Sequence, residues 1–213
     1  MILSKNAVMI SVDKNIDLAV QKAKKLFLEG SIFVYPTDTV YGLGANPFNE
    51  VAVGRIDEIK HRENHKPYIM LVNSIETLLK YVEIKSEKHL DFLLSIWPNP
   101  VSVVLLLNSK TNEILGVETA AFRIPNNRFC LKLTSELEMP LISTSVNRSG
   151  QPPVVESSVI YDEFSSEIDA IFHTNKKSFY SVSTLIDLSD SVPVLIRSGK
   201  IKFEDLLDKF QKC

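Results

Sequence analysis

The amino-acid sequence predicts an α+β protein with one large, open, twisted, mixed β-sheet and flanking helices. Helix-like and strand-like segments alternate in the first half of the chain, and strand-like segments cluster in the second half, an order typical of this class. The 213 residues are 45% hydrophobic and 23% charged, so the chain can bury a core without disulfide or metal support. Because no repeat, low-complexity tract or linker divides it, we expect a single domain over residues 1–213.

The first half of the chain is predicted to contain four helices and four strands. Apolar residues recur at helical spacing before Gly30, which is a typical C-terminal cap. Pro36 ends a β-type run, Ser74 and Ser86 can cap the two helices that follow them, and Pro98 stops the second of these helices. The continuous apolar run at 101–107 is typical of a central strand. The predicted strands are 8–12, 31–35, 68–72 and 101–107, and the predicted helices are 15–29, 48–60, 74–82 and 86–97.

The second half of the chain is predicted to be mostly strand. Its short apolar and β-branched runs are of strand length, and an amphipathic helix at 203–210 follows them. The predicted strands are 119–124, 141–145, 168–173, 183–187 and 192–197. The strands therefore outnumber the helices in this half, as the α+β prediction requires.

Composition excludes several classes of function. The net charge of -2 argues against general binding of polyanions, although it leaves a local basic patch open. Cys130 and Cys213 match no metal or redox spacing, and we expect two free thiols in a reducing compartment. The longest apolar run is much shorter than the ~20 residues of a membrane span, and no targeting signal is recognised. We expect a cytoplasmic protein without a membrane contact.

The loop YPTDTVYGLG, at residues 35–44, is the first candidate binding loop. It follows a predicted strand and presents Thr37, Asp38 and Thr39 as short polar side chains. Gly42 and Gly44 permit backbone conformations that other residues avoid. Loops on a rigid sheet are common binding sites, but an ordinary turn in which these residues act as local caps is also consistent with the pattern.

The segment KHRENHKP, at residues 60–67, is the second candidate. If it is extended, Lys60, Arg62, Asn64 and Lys66 lie on one side, with ~7 Å between successive members. Three cations and an amide on one edge suit a polyphosphate or a nucleic-acid backbone. A solvated charged loop is the alternative.

The remaining candidates are isolated polar residues beside apolar strands. Arg123 lies in an otherwise apolar run, where it requires a partner, either a carboxylate of the protein or a carboxylate of a ligand. Ser183 and Arg197 begin and end β-type runs, and alone they could be turn or cap residues. The stretch STSVNRSGQPP, at 143–153, carries more donors and acceptors than a turn needs. Phosphate-loop, zinc-protease and nucleophile-elbow motifs do not occur in the sequence.

Seven of these segments, taken in order, resemble the YrdC/TsaC family of threonylcarbamoyl-adenylate synthases. The segments are PTDTVYGLG, KHRENHKP, WPNPVS, AFRIP, STSVNRSG, STLID and IRSG. The resemblance spans residues 13–207 and implies the short, single-domain form with a concave, basic cavity. It also implies a nucleotidyltransferase that makes threonylcarbamoyl-AMP and pyrophosphate from L-threonine, bicarbonate and ATP. Partner proteins would pass the threonylcarbamoyl group to tRNA, and a weak contact of this chain with tRNA is left open.

The resemblance assigns a role to individual residues. The family's KxR and SxN signature falls on the residues expected at the catalytic centre, which are Lys60, Arg62, Ser145 and Asn147. Positions expected to contact ATP are Lys60, Arg62, Asn64, Thr119, Ser145, Pro153 and Arg197. Positions expected to hold threonine are Thr37, Lys66, Arg123, Ser143 and Ser183. We expect Mg²⁺ to bridge the ATP phosphates, without a metal site of the protein's own.

Three positions depart from the family pattern, and two alternatives to the leading function stay open. Glu63 replaces a proline, Asn99 replaces a glycine and Val146 replaces an alanine, and these changes alter backbone freedom and the expected wall of the pocket. One alternative is a paralogue that acts on another acyl-adenylate. The other is an RNA-binding or ribosome-maturation protein that uses a basic surface formed by Lys60, Arg62, Lys66 and Arg148.

Overall fold

Eleven strands and eight helices form the described part of this computed structural model, which comprises residues 6–61, 68–175 and 181–213. The strands are β1 Val8–Ser11, β2 Phe33–Tyr35, β3 Gly42–Gly44, β4 Met70–Leu71, β5 Val101–Leu106, β6 Thr119–Arg123, β7 Leu141–Ile142, β8 Thr144–Ser145, β9 Ala170–His173, β10 Thr184–Asp187 and β11 Val194–Arg197. The helices are α1 Ile16–Leu28, α2 Glu50–Lys60, α3 Ile75–Leu78, α4 Glu87–Ile96, α5 Ser109–Leu115, α6 Arg128–Leu137, α7 Ser157–Phe164 and α8 Phe203–Lys212.

The strands divide between two mixed sheets. The first sheet has the order β1-β9-β2-β3-β8, and the second has the order β11-β10-β5-β6-β4-β7. Both sheets combine parallel and antiparallel pairs. The predicted α+β class with mixed pairing is confirmed, but the strands form two sheets where the sequence analysis expected one.

The two sheets meet at Ser143. The predicted strand 141–145 is interrupted there: β7 pairs with β4 of the second sheet, and β8 pairs with β3 of the first. The backbone N–H of Ser143 donates to the carbonyl of Ile69 at 2.8 Å. Residues 143–145 therefore pass from one sheet to the other, and polar side chains from both sheets converge at this seam.

Three hydrophobic clusters hold the helices against the sheets. One packs α4 and α8 on the second sheet, around Phe92, Phe122 and Phe210. The second joins α2 and α7 to the first sheet, and the third joins α1 and α6 to it. The helices whose start was predicted from a capping serine, α3 and α4, are capped by Ser74 and Ser86 as expected.

Four elements were not predicted, namely β3, α5, α6 and α7. The two glycines of β3 carry little strand propensity, but a side chain at Gly44 would place its β-carbon 2.5 Å from the Tyr35 ring. The close approach of that ring requires glycine there. Helices α5 and α6 begin after Asn108 and Asn127, whose side chains accept hydrogen bonds from the first turn. These asparagines were available signals that the sequence analysis did not use.

The described residues include no helix that is long and apolar enough to cross a membrane.

Candidate functional site

A cavity of about 90 Å³ lies at the seam between the two sheets. Its walls come from the loop between β2 and β3, the ends of β6 and β11, the β7–β8 crossing and the segment that leads into β10. The lining residues are 39–42, 69, 123, 143–145, 182–183 and 197. Five separate predicted segments therefore contribute to one cavity.

Arg123 is the most deeply buried cation of this cavity, with 3% of its surface exposed. Its Nη2 lies 3.4 Å from Oδ1 of Asp38, and its Nη1 donates to Oγ1 of Thr39 at 3.3 Å. Of the two kinds of partner predicted for this arginine, the structure supplies the protein carboxylate, Asp38. Within the described part of the chain, however, the Nε of Arg123 has no hydrogen-bond partner. One buried N–H of the guanidinium is thus left unsatisfied at the wall of the cavity.

The turn that carries Asp38 is held by its own side chains. Oδ2 of Asp38 accepts from the backbone N–H of Asn126 at 3.0 Å. The hydroxyl of Thr37 donates to the carbonyl of Val40 at 2.6 Å and accepts from the N–H of Thr39 at 3.0 Å. Thr37 lines a larger neighbouring cleft of about 830 Å³, and Thr39 borders both spaces. The first candidate loop is therefore a capped turn and also a wall of the cavity.

Arg197 forms the second cationic group of the cavity. Its Nη2 donates to the carbonyl of Ser183 at 3.0 Å and to the Ser183 hydroxyl at 3.1 Å. Burial, and then the nearby positive charge of Arg123, lower the pKa of Arg197. Arg197 lies at the exposed rim of the cavity, and two guanidinium groups whose positive charges repel each other favour an anion near both.

Gly199 allows the strand end that carries Arg197 to approach Ser183. A β-carbon at Gly199 would lie 2.3 Å from the Ser183 carbonyl carbon and from the backbone nitrogen of Thr184. The next residue, Lys200, donates its N–H to the carbonyl of Val182 at 3.0 Å. The IRSG segment thus requires glycine at this position for close backbone contact.

Ser143 contributes a hydroxyl from the seam itself. Ser143 is buried, and its hydroxyl lies beside Tyr35, whose own hydroxyl donates to the carbonyl of Ile142 at 3.0 Å. Burial raises the pKa of Tyr35 well above its usual range, while a hydrogen bond with Ser143 opposes that change. Tyr35 therefore stays protonated and supports the cavity wall.

Lys60, Ser145 and Asn147 form a cluster that adjoins the cavity. Lys60, with 6% of its surface exposed, donates from Nζ to the Ser145 carbonyl at 2.7 Å and to Oδ1 of Asn147 at 2.9 Å. The Ser145 hydroxyl donates to the same Oδ1 at 2.6 Å. Because Ser145 also lines the cavity, the predicted KxR lysine and SxN residues meet next to the two arginines. The lysine holds the loop that presents the serine and the asparagine.

Two predicted nucleotide positions lie outside the 90 Å³ cavity. Thr119 begins β6 on the same face as Arg123, about 13 Å away along the strand. Pro153 is half-buried, and the chain next to it returns to the SxN loop, where the N–H of Val154 donates to the carbonyl of Val146 at 2.8 Å. An extended ligand would be needed to contact these positions together with the cavity.

Three predicted site residues lie outside the described residues. They are Arg62, Asn64 and Lys66, which follow helix α2 in the sequence, in the charged segment 60–67. The departure at Glu63 lies in the same segment.

The other two departures have local explanations. Val146 is completely buried in the hydrophobic cluster around α2 and α7. It therefore fills the core, and the expectation that it reshapes the pocket wall needs correction. The side chain of Asn99 donates to the carbonyl of Ile96 at 2.9 Å, which satisfies one of the last carbonyls of α4.

Arg148 lies away from the cavity in a pairing of its own. Its guanidinium donates to both carboxylate oxygens of Glu167, at 2.5 and 2.9 Å, and to the carbonyl of Ile59 at 2.5 Å. It also lies over the ring of Phe164, at 4.5 Å from the centroid. The hydrogen bonds that Arg148 donates to the Glu167 carboxylate raise the pKa of Arg148. Arg148 is thus a structural residue, which removes one cation from the RNA-binding alternative.

Two residues at the site were not assigned a role from the sequence. Asp38 was quoted only as part of a polar turn, although the buried Arg123 signalled that a carboxylate was needed. Ser102 lies in the apolar run of β5, and its hydroxyl is 3.0 Å from that of Ser183. A small polar residue inside a buried strand was the available signal for Ser102.

Comparison with known proteins is consistent with this geometry. The Sua5/YciO/YrdC family model, described as "Telomere recombination", matches residues 25–199. The chain belongs to this family. The family resemblance inferred from the seven segments is therefore confirmed.

Two curated relatives carry the name threonylcarbamoyl-AMP synthase. That of Pyrococcus abyssi is 33% identical over 180 residues, which are 84% of this chain and 53% of the relative. That of Bacillus subtilis is 30% identical over 195 residues, which are 89% of this chain and 56% of the relative. The chain thus spans little more than half the length of these relatives.

Two solved structures share the fold. Sua5 of P. abyssi, in complex with L-threonine, has a TM-score of 0.85 at 30% identity, over 95% of this chain and 60% of that protein. E. coli YciO has a TM-score of 0.82 at 22% identity, over 95% of this chain and all of that protein. The likeness to YciO shows the fold alone.

Proposed function

We propose that this protein is a threonylcarbamoyl-AMP synthase, a nucleotidyltransferase that uses L-threonine, bicarbonate and ATP. One observation carries the proposal: Arg123, Arg197 and Ser183 converge on one small cavity that adjoins the Lys60–Ser145–Asn147 cluster. The names of the relatives at 30–33% identity, and the threonine bound to one of the similar structures, support the same substrate.

The proposed reaction needs positioning and charge stabilisation more than a side-chain nucleophile. The threonine amine adds to bicarbonate and, with loss of water, gives an N-carboxylate. An oxygen of that carboxylate attacks the α-phosphorus of ATP, the bond to the bridging oxygen breaks, and pyrophosphate leaves with that electron pair. The protein must hold two anions together and stabilise the charge that spreads over the phosphate oxygens.

The threonine end of the site is assigned to the small cavity. The free Nε of Arg123, beside its Nη groups, can bind the threonine carboxylate in a two-pronged manner. Ser143 and Ser183 add hydroxyls, and Thr37 supports the wall through its turn. Lys66, which the family resemblance also assigns to threonine, follows α2 outside the described residues.

The nucleotide end of the site is assigned to the other side of Ser145. Arg197 and Lys60 place positive charge beside the Ser145 and Asn147 groups, where phosphate oxygens would lie. Positions 119 and 153 would contact the rest of the nucleotide, together with positions 62 and 64 of the charged loop. The described residues contain no cluster of three or more His, Cys, Asp or Glu side chains for a metal. We propose that the ATP phosphates hold Mg²⁺, as expected for an ATP-dependent reaction of this type.

The cellular role follows from the product. We propose that residues 1–213 act as one cytoplasmic domain. Its product, threonylcarbamoyl-AMP, is a mixed anhydride, and partner proteins would transfer the threonylcarbamoyl group from it to tRNA. The threonylcarbamoyl group would modify an adenosine, and this chain would need no more than a weak contact with tRNA.

The decisive experiment measures threonine-dependent pyrophosphate release with labelled bicarbonate and ATP. We expect release with wild type and a loss of roughly 100-fold or more in Lys60→Ala. Lys110→Ala, which removes an exposed helical lysine, is the matched control and should retain full activity. If wild type releases no pyrophosphate in response to threonine, the proposal is wrong.

The paralogue remains the second candidate, since a cavity for an amino-acid carboxylate does not by itself select threonine. The same assay with L-serine and other amino acids separates the two. A preference for another amino acid by tenfold or more in kcat/KM would favour the paralogue.

A further inference from the structure

Ser102 and Ser183 form a pair of buried hydroxyls whose proton arrangement is determined by their surroundings. Ser102 is completely buried in β5, and Ser183 has 4% of its surface exposed, on the side of the cavity. Their Oγ atoms are 3.0 Å apart. In principle either hydroxyl can donate to the other, so the question is which arrangement leaves no proton unsatisfied.

The surroundings of Ser102 require it to donate. Among the residues that the structure describes, the Ser183 hydroxyl is the hydrogen-bond partner of the Ser102 hydroxyl. If Ser183 donated to Ser102, the proton of Ser102 would be buried without an acceptor, which is costly. Ser102 therefore gives its proton to Ser183.

Ser183 then accepts two hydrogen bonds. One comes from Ser102, and the other comes from Nη2 of Arg197 at 3.1 Å. A serine oxygen has two acceptor sites, and both are now occupied. Its own proton is left for the cavity that Ser183 lines, next to the two guanidinium groups.

We propose that Ser102 is a positioning residue that makes Ser183 a hydrogen-bond donor toward an oxygen of the substrate. The Ser183 hydroxyl proton and the guanidinium groups of Arg123 and Arg197 then face the same part of the cavity, which we call the oxygen-binding corner. This corner recognises a carboxylate or phosphate oxygen and disfavours an ammonium group. The inference rests on the proposed function, because it specifies how the proposed site binds an oxygen of its substrate. Ser102 touches the substrate only through Ser183.

The test is a double-mutant cycle on L-threonine affinity, measured by calorimetric titration. Ser102→Ala frees Ser183 to turn its proton away from the cavity, and we expect the Kd to rise about 3- to 10-fold. Ser183→Ala should weaken binding by a similar factor. Adding Ser102→Ala to Ser183→Ala should change nothing further, because Ser102 acts through Ser183.

Two control variants distinguish the loss of the Ser102 hydrogen bond from a general disturbance of core packing. Ser102→Thr keeps the hydroxyl and should bind threonine like wild type. Thr134→Val removes another fully buried hydroxyl, in α6, and should leave the Kd unchanged. An unaltered Kd in Ser102→Ala, or additive losses in the double variant, would overturn the inference.

A second ligand distinguishes this inference from the proposed function. Wild type and the same five variants are titrated with inorganic phosphate, which tests the oxygen-binding corner without an amino acid. If wild type binds phosphate with the expected pattern but does not bind threonine, the proposed function fails and the role of Ser102 stands. If wild type binds neither ligand, the oxygen-binding corner itself is refuted.

Discussion

Replacing Arg123 by alanine should weaken threonine binding strongly. The side chain offers a two-pronged, charge-assisted contact to a carboxylate, and each such hydrogen bond is worth about 1.5–3 kcal/mol. Losing two of them corresponds to a rise of roughly 100-fold or more in the threonine Kd. We expect the KM for threonine to rise accordingly.

The same change removes the partner of a buried carboxylate. The side chains of Arg123 and Asp38 are 4% and 8% exposed, so the charge left on Asp38 would be largely desolvated. Breaking a buried pair costs about 3–5 kcal/mol. Because the pair distance is 3.4 Å and Asp38 keeps its bond from Asn126, we expect the lower end, about 3 kcal/mol. For a chain of this size, the Tm should fall by roughly 6–12 °C.

The two effects are distinguished by the double variant Asp38→Asn/Arg123→Ala. The asparagine removes the uncompensated charge, so the Tm should recover most of its loss, while threonine binding stays weak. Thermal melts give the first quantity and calorimetric titration gives the second. An Arg123→Ala protein that binds threonine like wild type would refute the ligand role. A double variant as unstable as the single one would refute the charge argument.

Three further predictions concern a close backbone contact at Gly199, the ion pair of Arg148 and the buried thiol of Cys130. Gly199→Ala should lower the Tm by roughly 5 °C and impair activity, because its β-carbon would lie 2.3 Å from facing backbone atoms. Gly54→Ala, where the β-carbon meets open space in a helix, is the control and should be neutral or stabilising in the same melt. Arg148→Ala should lower the free energy of unfolding by roughly 1–3 kcal/mol with an unchanged threonine KM, and lost binding at an unchanged Tm would contradict its structural role. Burial raises the pKa of the Cys130 thiol well above its usual range, so iodoacetamide at pH 8 should alkylate Cys213 and spare Cys130 in the native protein, as mass spectrometry of tryptic peptides can check.

Most of the fold was predictable because its signals are local. Ser74 and Ser86 begin their helices by hydrogen-bonding the first turn, and such caps can be read from neighbouring residues. The strand Gly42–Gly44 was not predictable in this way. It depends on the Tyr35 ring, which lies over the glycines only after β2 and β3 have paired.

The site shows the same contrast between local and distant information. Arg123 was predicted to need a partner because an arginine in an apolar run cannot remain unpaired. That the partner is Asp38 could not be derived, since the two residues are brought together only by the packing of separate segments. The division into two sheets was missed for the same reason: residues 141–145 read as one strand, and only their pairing partners reveal the break at Ser143.

The crossing at Ser143 has a mechanical consequence. A molecule lodged in the cavity would hold Arg123 and Arg197, at strand ends of one sheet, and Ser145, in a strand of the other. An occupied cavity would therefore add a polar connection between the sheets to the apolar one, in which Leu71 and Leu141 of one sheet pack with Phe33 and Tyr35 of the other. A substrate bound to groups of both sheets should stabilise the two sheets against unfolding together, because it binds the folded protein alone.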